Sequence, residues 1–251
     1  MSSSTQQPEI TGASTMTQTN DIPRGILIVD LGTQYAQLIA RRVREARVWC
    51  EIAPPHLAME RAEAMNLCGV ILSGGPASVY GDDAPDIPEE ILALGVPVLG
   101  ICYGMQWMCQ HLGGQVDAAD AREFGRASIQ VQKAAGVLDS IDGSTVVWMS
   151  HGDHVSALPE GFEIIAKSAG APLAVIADES RKLYGVQFHP EVIHTQGGTA
   201  LLTNFARDIC GCTASWSMKA YREQAIATIR DQVGSRGVIC GLSGGVDSSV
   251  A

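Results

Sequence analysis

The sequence predicts an α/β fold with a mostly parallel sheet and an antiparallel addition to that sheet. From residue 24 onward, short apolar runs alternate with amphipathic helical patterns, the order that builds a parallel sheet. Two of these runs are followed by glycine-containing motifs, and functional groups collect at the carboxyl ends of parallel strands. Beyond residue 123 the pattern changes to short strand candidates separated by turns, which predicts antiparallel pairing there.

The elements of the first half follow each other at close spacing. Residues 25–30 form a continuous apolar run, as expected for a strand that is covered on both faces. Residues 34–46 carry apolar side chains at helical spacing, with arginines on the opposite face. Two further apolar runs, at 69–72 and 96–99, predict the next strands, and a helical segment at 105–112 follows the second of them.

The second half is predicted to contain short strands, a closing helix and the start of a new unit. We expect a closing helix at 197–209, a boundary near 211–215, and five strands at 126–133, 146–149, 162–167, 173–177 and 183–188. A helix at 218–232 and a strand at 238–242 would then begin a second domain. The sequence thus predicts one domain at 24–215 and a truncated α/β domain at 216–251, because a strand and a loop alone cannot bury a core.

Composition narrows the classes of function. The net charge of −10 argues against a nucleic-acid or membrane-surface partner, since both favour basic patches, and no apolar run approaches the ~20 residues that span a bilayer. Seven cysteines, an odd number spread through apolar segments, favour a reducing, cytoplasmic setting over a disulfide framework. Residues 1–23 are rich in Ser, Thr and Gln and lack the pattern of a secretory signal, so we expect a disordered tail there.

The candidate nucleophile is Cys102, which lies in the motif Gly100-Ile101-Cys102-Tyr103-Gly104 after an apolar run. The spacing G-x-C-x-G between a strand and a helix is typical of a nucleophile elbow, where the chain turns sharply and two positions must be small. Free N–H groups at the start of the helix favour a thiolate over a thiol. Taken alone, the motif fits a buried cysteine in a tight turn equally well.

A cysteine nucleophile needs a base, and the base needs a group that orients it. His189 follows an apolar run and precedes Glu191 by two residues, so an extended segment would present both side chains on one side. Glu191 would then hold the imidazole in the required tautomer. Residues 73–76, Ser-Gly-Gly-Pro, end another strand and are placed to offer a backbone N–H, together with that of Tyr103, to a developing oxyanion.

Two further motifs are rich in polar residues. Residues 150–154, Ser-His-Gly-Asp-His, predict a polar loop that either contacts a substrate or forms a solvated turn. Its histidines and aspartate are too close in sequence to predict a metal site without distant ligands, and we predict no metal ligands in this chain. Residues 243–249, Ser-Gly-Gly-Val-Asp-Ser-Ser, follow a strand candidate and suit a pyrophosphate, but they lack the Gly-Lys-Ser/Thr ending of a Walker loop.

In combination these motifs resemble the glutamine-hydrolysing GMP synthetases over nearly all of residues 24–251. The elbow, the loop at 73–76 and the sequence Phe-His-Pro-Glu at 188–191 are shared widely by class I glutamine amidotransferases, which implies a flavodoxin-like fold. The narrower resemblance lies in residues 243–249, which look like the PP-loop of ATP pyrophosphatases. Residues 30–35 and 148–153 are also similar to segments of GMP synthetases.

The resemblance implies a mechanism. Cys102 would attack the side-chain amide of glutamine, with His189 as base and then as acid toward the leaving ammonia, and with Glu191 orienting His189. Backbone N–H groups of Gly75 and Tyr103 would hold the oxyanion, and water would release glutamate from the thioester. The side chains that the resemblance places around the glutamine substrate are Gln106, Ser150, His151 and Asp153.

The resemblance also implies a use for the ammonia. In the family it reaches a synthetase domain, where ATP and Mg²⁺ activate XMP and ammonia displaces AMP to give GMP; the glutaminase step needs no cofactor. The rest of that domain and a C-terminal dimerisation domain, the expected homodimer contact, are absent from the sequence, so we expect this chain to hydrolyse glutamine only. The residues implied in holding the ATP pyrophosphate are Ser243, Gly244, Gly245, Val246, Asp247, Ser248 and Ser249.

Two other classes of function stay open at this point. The fold could serve only to bind a partner, although Cys102, His189 and Glu191 are all present in the sequence. Alternatively, the chain belongs to another class I amidotransferase or to a cysteine hydrolase of γ-glutamyl bonds, against which residues 243–249 argue. Labelling of Cys102 by a glutamine-like electrophile distinguishes a binding domain from an enzyme.

Overall fold

The computed structural model describes residues 24–141 and 143–239, except for the side chains of 119–122, 224 and 228. The strands within these residues are β1 Arg24–Val29, β2 Trp49–Ala53, β3 Asn66–Leu72, β4 Val98–Ile101, β5 Gln115–Val131, β6 Ser144–Ala157, β7 Glu163–Ser168, β8 Val175–Asp178 and β9 Leu183–Val186. The helices are α1 Ala36–Glu45, α2 Ala58–Ala64, α3 Tyr103–His111, α4 Gly198–Thr203, which continues as a π-helical segment Asn204–Ile209, and α5 Met218–Val233.

The described strands form one sheet in the order β2-β1-β3-β4-β9-β8-β7-β5-β6. Neighbours from β2 to β9 pair in parallel, and neighbours from β9 to β6 pair antiparallel. The connections from β1 to β2 and from β2 to β3 each contain an α-helix, the usual crossover between parallel strands. The predicted α/β class is therefore confirmed, but the sheet is mixed rather than mostly parallel, because four of the eight neighbouring pairs of described strands are parallel and four are antiparallel.

Three details of the predicted sheet are wrong. The strand predicted at 183–188 as part of the antiparallel addition is β9, which pairs in parallel with β4 and so belongs to the parallel half. The strand predicted at 96–99 begins two residues later, because Pro97 has no N–H to donate to the sheet. The loop predicted at 150–154 lies inside β6, where β5 pairs with its backbone. The elements β2 and α2 were not predicted from sequence.

The core lies on both faces of the parallel strands. Along β1, Ile26 and Ile28 belong to the apolar cluster that contains Ile39 of α1, while Leu27 and Val29 belong to the cluster on the other side, with residues of α3. Successive side chains of a strand point to opposite faces, so a strand covered on both sides needs an uninterrupted apolar run. This explains why residues 25–29 show no polar alternation.

The carboxyl ends of the parallel strands are joined by hydrogen bonds. The Ser73 hydroxyl, just after β3, accepts a hydrogen bond from the Leu31 N–H at 2.9 Å, beyond the end of β1. The N–H of Gly104 donates to the Ser73 carbonyl at 3.1 Å, and the N–H of Cys102 donates to the Val186 carbonyl at 2.7 Å. The ends of β1, β3, β4 and β9 are thereby fixed relative to each other at one edge of the sheet.

Beyond this sheet, the helix predicted at 218–232 is confirmed as α5. Ser217 caps it, because its hydroxyl accepts a hydrogen bond from the Ala220 N–H at 3.2 Å, and Tyr221 stacks on Trp49 with ring centroids 5.4 Å apart.

No helix in the described part of the chain is long and apolar enough to cross a membrane. The tail predicted at 1–23, the loop predicted at 243–249 and residues 240–242 of the last predicted strand lie outside the described residues.

Candidate active site

Cys102 lies at the sharp turn between β4 and α3. Its backbone has φ 50° and ψ −105°, a region that residues with a side chain rarely adopt. Such strain persists only where the surrounding structure enforces it, and it is typical of nucleophiles presented at a strand-to-helix turn. The geometry is therefore that of the predicted elbow.

The two glycines of the elbow are required by close packing. A Cβ on Gly100 would lie 2.5 Å from the backbone N of Met105, and a Cβ on Gly104 would collide with the carbonyl oxygen of Leu72. Both obstacles are backbone atoms, which cannot move aside as a flexible side chain can. The prediction of two small positions around the cysteine is confirmed.

We expect Gly104→Ala to destabilise the chain by about 1–3 kcal/mol, because the added methyl overpacks the contact between α3 and β3. Urea unfolding followed by circular dichroism measures the free energy of unfolding. Gly237→Ala is the matched control, since a Cβ at Gly237 meets no atom within 4 Å. Equal stability of the two variants would show that the elbow tolerates a side chain at residue 104.

His189 and Glu191 form a buried pair next to Cys102. Nδ1 of His189 lies 2.8 Å from Oε1 of Glu191, and the two side chains are 6% and 0% exposed. A Cβ on Gly74 would lie 3.0 Å from Cε1 of His189 and 3.8 Å from Cβ of Cys102, so the imidazole and the nucleophile lie against the same glycine. Glu191 engages Nδ1 of the imidazole, which leaves Nε2 for the thiol. The structure thus brings together the three residues predicted as nucleophile, base and orienting acid.

The surroundings of His189 favour its charged form. Burial lowers the pKa of this histidine, but the hydrogen bonds and charges of Cys102 and Glu191 outweigh burial and raise its pKa to about 10. An imidazole with so high a pKa holds its proton at neutral pH. A charged imidazole therefore lies beside the predicted nucleophile.

Three residues outside the predicted set hold the backbone around this pair. The Thr195 hydroxyl donates to the His189 carbonyl at 2.6 Å and accepts from the Trp148 N–H at 3.0 Å. The guanidinium of Arg42 donates to the carbonyl of Glu191 at 3.1 Å. These residues come from three separate segments, and no local pattern in the sequence signals them.

The two backbone amides predicted for an oxyanion site have no protein partner in the described residues. Tyr103 is the first residue of α3, where the N–H has no partner within the helix. Among the described residues, neither this amide nor that of Gly75 donates a hydrogen bond to another protein group. A Cβ on the neighbouring Gly74 would lie 3.8 Å from Cβ of Cys102, so the glycine loop approaches the nucleophile closely.

A cavity of about 420 Å³ opens beside Cys102. Its wall contains one of the predicted oxyanion donors and all four side chains predicted around glutamine. Three further lining residues were not predicted from sequence, namely Ala77, Ser78 and the 67% exposed Phe124. No group of three or more possible metal ligands is found among the residues that the structure describes. The predicted residues that line the cavity are Gly75, Gln106, Ser150, His151 and Asp153.

Most of the side chains predicted to bind glutamine belong to residues that also contact other protein groups. The Gln106 amide donates to the Asp153 carbonyl at 2.8 Å, which fixes α3 against β6. The carbonyl of Ser150 lies 3.7 Å from Sγ of Cys102. Nε2 of the buried His151 lies 3.3 Å from a carboxylate oxygen of Glu123; burial lowers the pKa of His151, and Glu123 opposes that shift.

The fold and this arrangement define the class of protein. The profile of the family "Glutamine amidotransferase class-I" matches residues 27–209. The chain therefore belongs to the class I glutamine amidotransferases, a family of glutamine-hydrolysing enzymes. Within that family its curated relatives include "GMP synthase [glutamine-hydrolyzing]" of Bartonella quintana, which is 58% identical over 231 residues, covering 91% of this chain and 45% of the relative.

Other relatives agree. The protein of the same name from Rhodopseudomonas palustris is 56% identical over 229 residues, which are 90% of this chain and 43% of the relative, so the chain spans less than half the length of these two relatives. A candidate GMP synthase protein of known structure from Thermoplasma acidophilum has a TM-score of 0.66 and 29% identity, over 82% of this chain and 98% of that one. A glutamine amidotransferase from Thermotoga maritima, at 20% identity and a TM-score of 0.54 over 83% of this chain and 86% of that one, shares the fold.

Proposed function

We propose that this chain hydrolyses glutamine and supplies the ammonia from which a GMP synthase makes GMP. The observation that carries the glutaminase proposal is the placement of the buried His189–Glu191 pair beside Cys102, next to a cavity lined by polar groups. Similarity to GMP synthases at 54–58% identity supports XMP as the acceptor of the ammonia.

The reaction would run through a thioester. The Cys102 thiolate attacks the amide carbon of glutamine, and the amides of Gly75 and Tyr103 stabilise the negative oxygen that forms. His189, charged at the start, gives its proton to the nitrogen, and ammonia leaves as the C–N bond breaks. Neutral His189 then takes a proton from water, the resulting hydroxide equivalent attacks the thioester, and glutamate departs while the thiolate returns.

The substrate would lie in the cavity beside Cys102. Gln106, Ser150 and His151 line it, and Asp153 adds a carboxylate that forms no ion pair with a Lys, Arg or His of the described chain. An uncompensated negative charge in a cavity wall suits the α-ammonium of an amino acid. We therefore assign Asp153 to the α-ammonium of glutamine.

The synthetase half of the proposal depends on the sequence and the relatives. Residues 24–215 would form the amidotransferase domain after a tail at 1–23, and 216–251 would begin an ATP pyrophosphatase domain. Ser243 to Ser249 would hold the pyrophosphate of ATP, with Mg²⁺, in an enzyme that also binds XMP, acts in the cytoplasm and forms a homodimer through a domain further along. The glutaminase step itself would need no cofactor.

Covalent labelling tests the glutaminase proposal directly. We expect the glutamine-like diazoketone 6-diazo-5-oxo-L-norleucine to form one adduct, on Cys102, and L-glutamine but not L-asparagine to protect against it. Mass spectrometry of the intact chain and of its peptides gives the number and position of adducts. Cys109→Ala, which removes a buried cysteine from the helix α3 that follows Cys102, is the control and should label normally. An adduct elsewhere, or labelling that glutamine does not slow, contradicts the proposal.

A further inference from the structure

Two hydroxyl groups hold the carboxylate of Asp153 from across the cavity. Oδ2 accepts a hydrogen bond from the Ser78 hydroxyl at 2.7 Å, and Oδ1 accepts one from the Tyr80 hydroxyl at 2.8 Å. Ser78 and Tyr80 belong to the loop that follows β3, whereas Asp153 lies on β6. Ser78 and Asp153 both line the cavity beside Cys102. The three residues, named here the Asp153 clasp, therefore join two walls of the candidate substrate site.

The clasp fixes the direction of the carboxylate without neutralising it. A hydroxyl has one proton to donate, and the hydroxyls of Ser78 and Tyr80 both donate it to the Asp153 carboxylate. Their contribution is orientation, because neither donor carries a positive charge. A carboxylate offers about four acceptor positions, so two hydrogen bonds leave room for a third donor. The group that fits beside two neutral donors in this wall is a cation.

We propose that Ser78 and Tyr80 are specificity-determining residues, whose hydroxyls aim the Asp153 carboxylate at the α-ammonium of the substrate. This inference rests on the proposed glutaminase function and extends it to residues that do not touch the reacting atoms. The loop that carries both hydroxyls also carries Gly75, three residues before Ser78, which lines the same cavity as Cys102. An α-ammonium bound at the clasp would therefore lie against the same loop that carries Gly75, the proposed donor to the oxyanion at the other end of the substrate.

A purely structural role would give a different result. If the clasp only held the loop in place, its loss would slow every reaction of Cys102 by the same factor. If it aims Asp153 at an ammonium group, its loss slows only reagents that carry that group. The comparison needs two reagents that differ in the α-ammonium alone, and 6-diazo-5-oxo-L-norleucine and its des-amino analogue 6-diazo-5-oxohexanoate form such a pair.

The experiment measures the rate at which each reagent labels Cys102 in the whole chain. For Tyr80→Phe and for Ser78→Ala we expect labelling by the amino reagent to fall about tenfold, the effect of one lost charge-assisted hydrogen bond, and labelling by the des-amino reagent to change less than twofold. In glutamine hydrolysis the same variants should raise KM about tenfold with little change in kcat. Ser78→Thr keeps the hydroxyl and should restore the preference for the amino reagent.

The controls separate the possible failures. Tyr221→Phe removes a hydroxyl from α5 and should change neither rate, and Tyr80 is itself 54% exposed, so its variant loses one oxygen from the surface and keeps the fold. Equal slowing with both reagents, or no slowing with either, overturns the inference and leaves the proposed function standing. Failure of the amino reagent to label Cys102 in the unmodified chain overturns the proposed function, and the inference with it.

Discussion

Replacing Cys102 with alanine is expected to reduce ammonia release from glutamine to the rate measured without protein. Loss of the nucleophile from a hydrolase triad lowers kcat by about 10⁶-fold, and the described chain places no second thiol beside His189. The substitution keeps a Cβ at the strained position, so the elbow retains its packing. A coupled glutamate dehydrogenase assay of the glutamate produced measures the loss over many hours.

Glutamine binding should survive the same substitution. The cavity wall opposite the nucleophile is unchanged, so saturating L-glutamine should still raise the melting temperature of the Cys102→Ala variant. Cys109→Ala, in the helix α3 that follows Cys102, is the matched control and should keep its hydrolysis rate. Glutamate formation by Cys102→Ala at a rate comparable to that of the Cys109→Ala control would exclude the thiolate mechanism.

The elbow and the base were predictable from sequence because their geometry is local. Gly100 and Gly104 flank Cys102 within five residues, and packing against neighbouring backbone admits no side chain at either glycine. His189 and Glu191 are two residues apart at the end of a strand, so one short segment fixes their contact. Where a few adjacent residues determine the geometry, a single sequence contains enough information to predict that geometry.

The segment 150–154, a candidate for glutamine binding, was predicted as a loop because its composition obscures a strand. In β6 the buried positions Val147, Met149, His151 and Val155 lie on one face, which is the period of two that marks a strand. A histidine at a position that is normally apolar, with Gly152 beside it, conceals this alternation. Pairing with β5 across the hairpin, which supplies the backbone partners, depends on residues more than 25 positions away.

The hydrogen bonds that support the site from distant segments were not predicted. The Asp153 clasp joins residues 73 and 75 positions apart, and the hydrogen bond from Arg42 to the Glu191 carbonyl spans 149. The sequence around a hydroxyl or a guanidinium does not identify the group to which it donates, because which segments meet depends on the whole fold. The parallel pairing of β9 with β4 was missed for the same reason.

Replacing Glu191 with glutamine is expected to lower kcat for glutamine hydrolysis by about 10³–10⁴-fold, as loss of the orienting carboxylate does in triads of this design. The amide is nearly the same size, so the buried site keeps its shape, but it carries no charge to stabilise the imidazolium of His189. Glu63→Gln, on the exposed surface of α2, is the matched control and should leave kcat unchanged. Steady-state assays at saturating glutamine compare the two variants.

The pH dependence of the same variant tests why Glu191 matters. Cys102 and Glu191 raise the pKa of His189 to about 10 against the lowering effect of burial, so the unmodified chain keeps its imidazolium until the pH approaches 10. A raised pKa also means that the stabilisation from this proton is complete below the unfolded-state pKa of about 6.5 and is lost between there and pH 10. Glu191→Gln removes one of the two groups that raise the pKa. The alkaline limb of residual activity should therefore move to lower pH, and the free energy of unfolding should vary less between pH 6.5 and 10. An alkaline limb at the same pH in both proteins would show that Glu191 positions the imidazole without stabilising its charge.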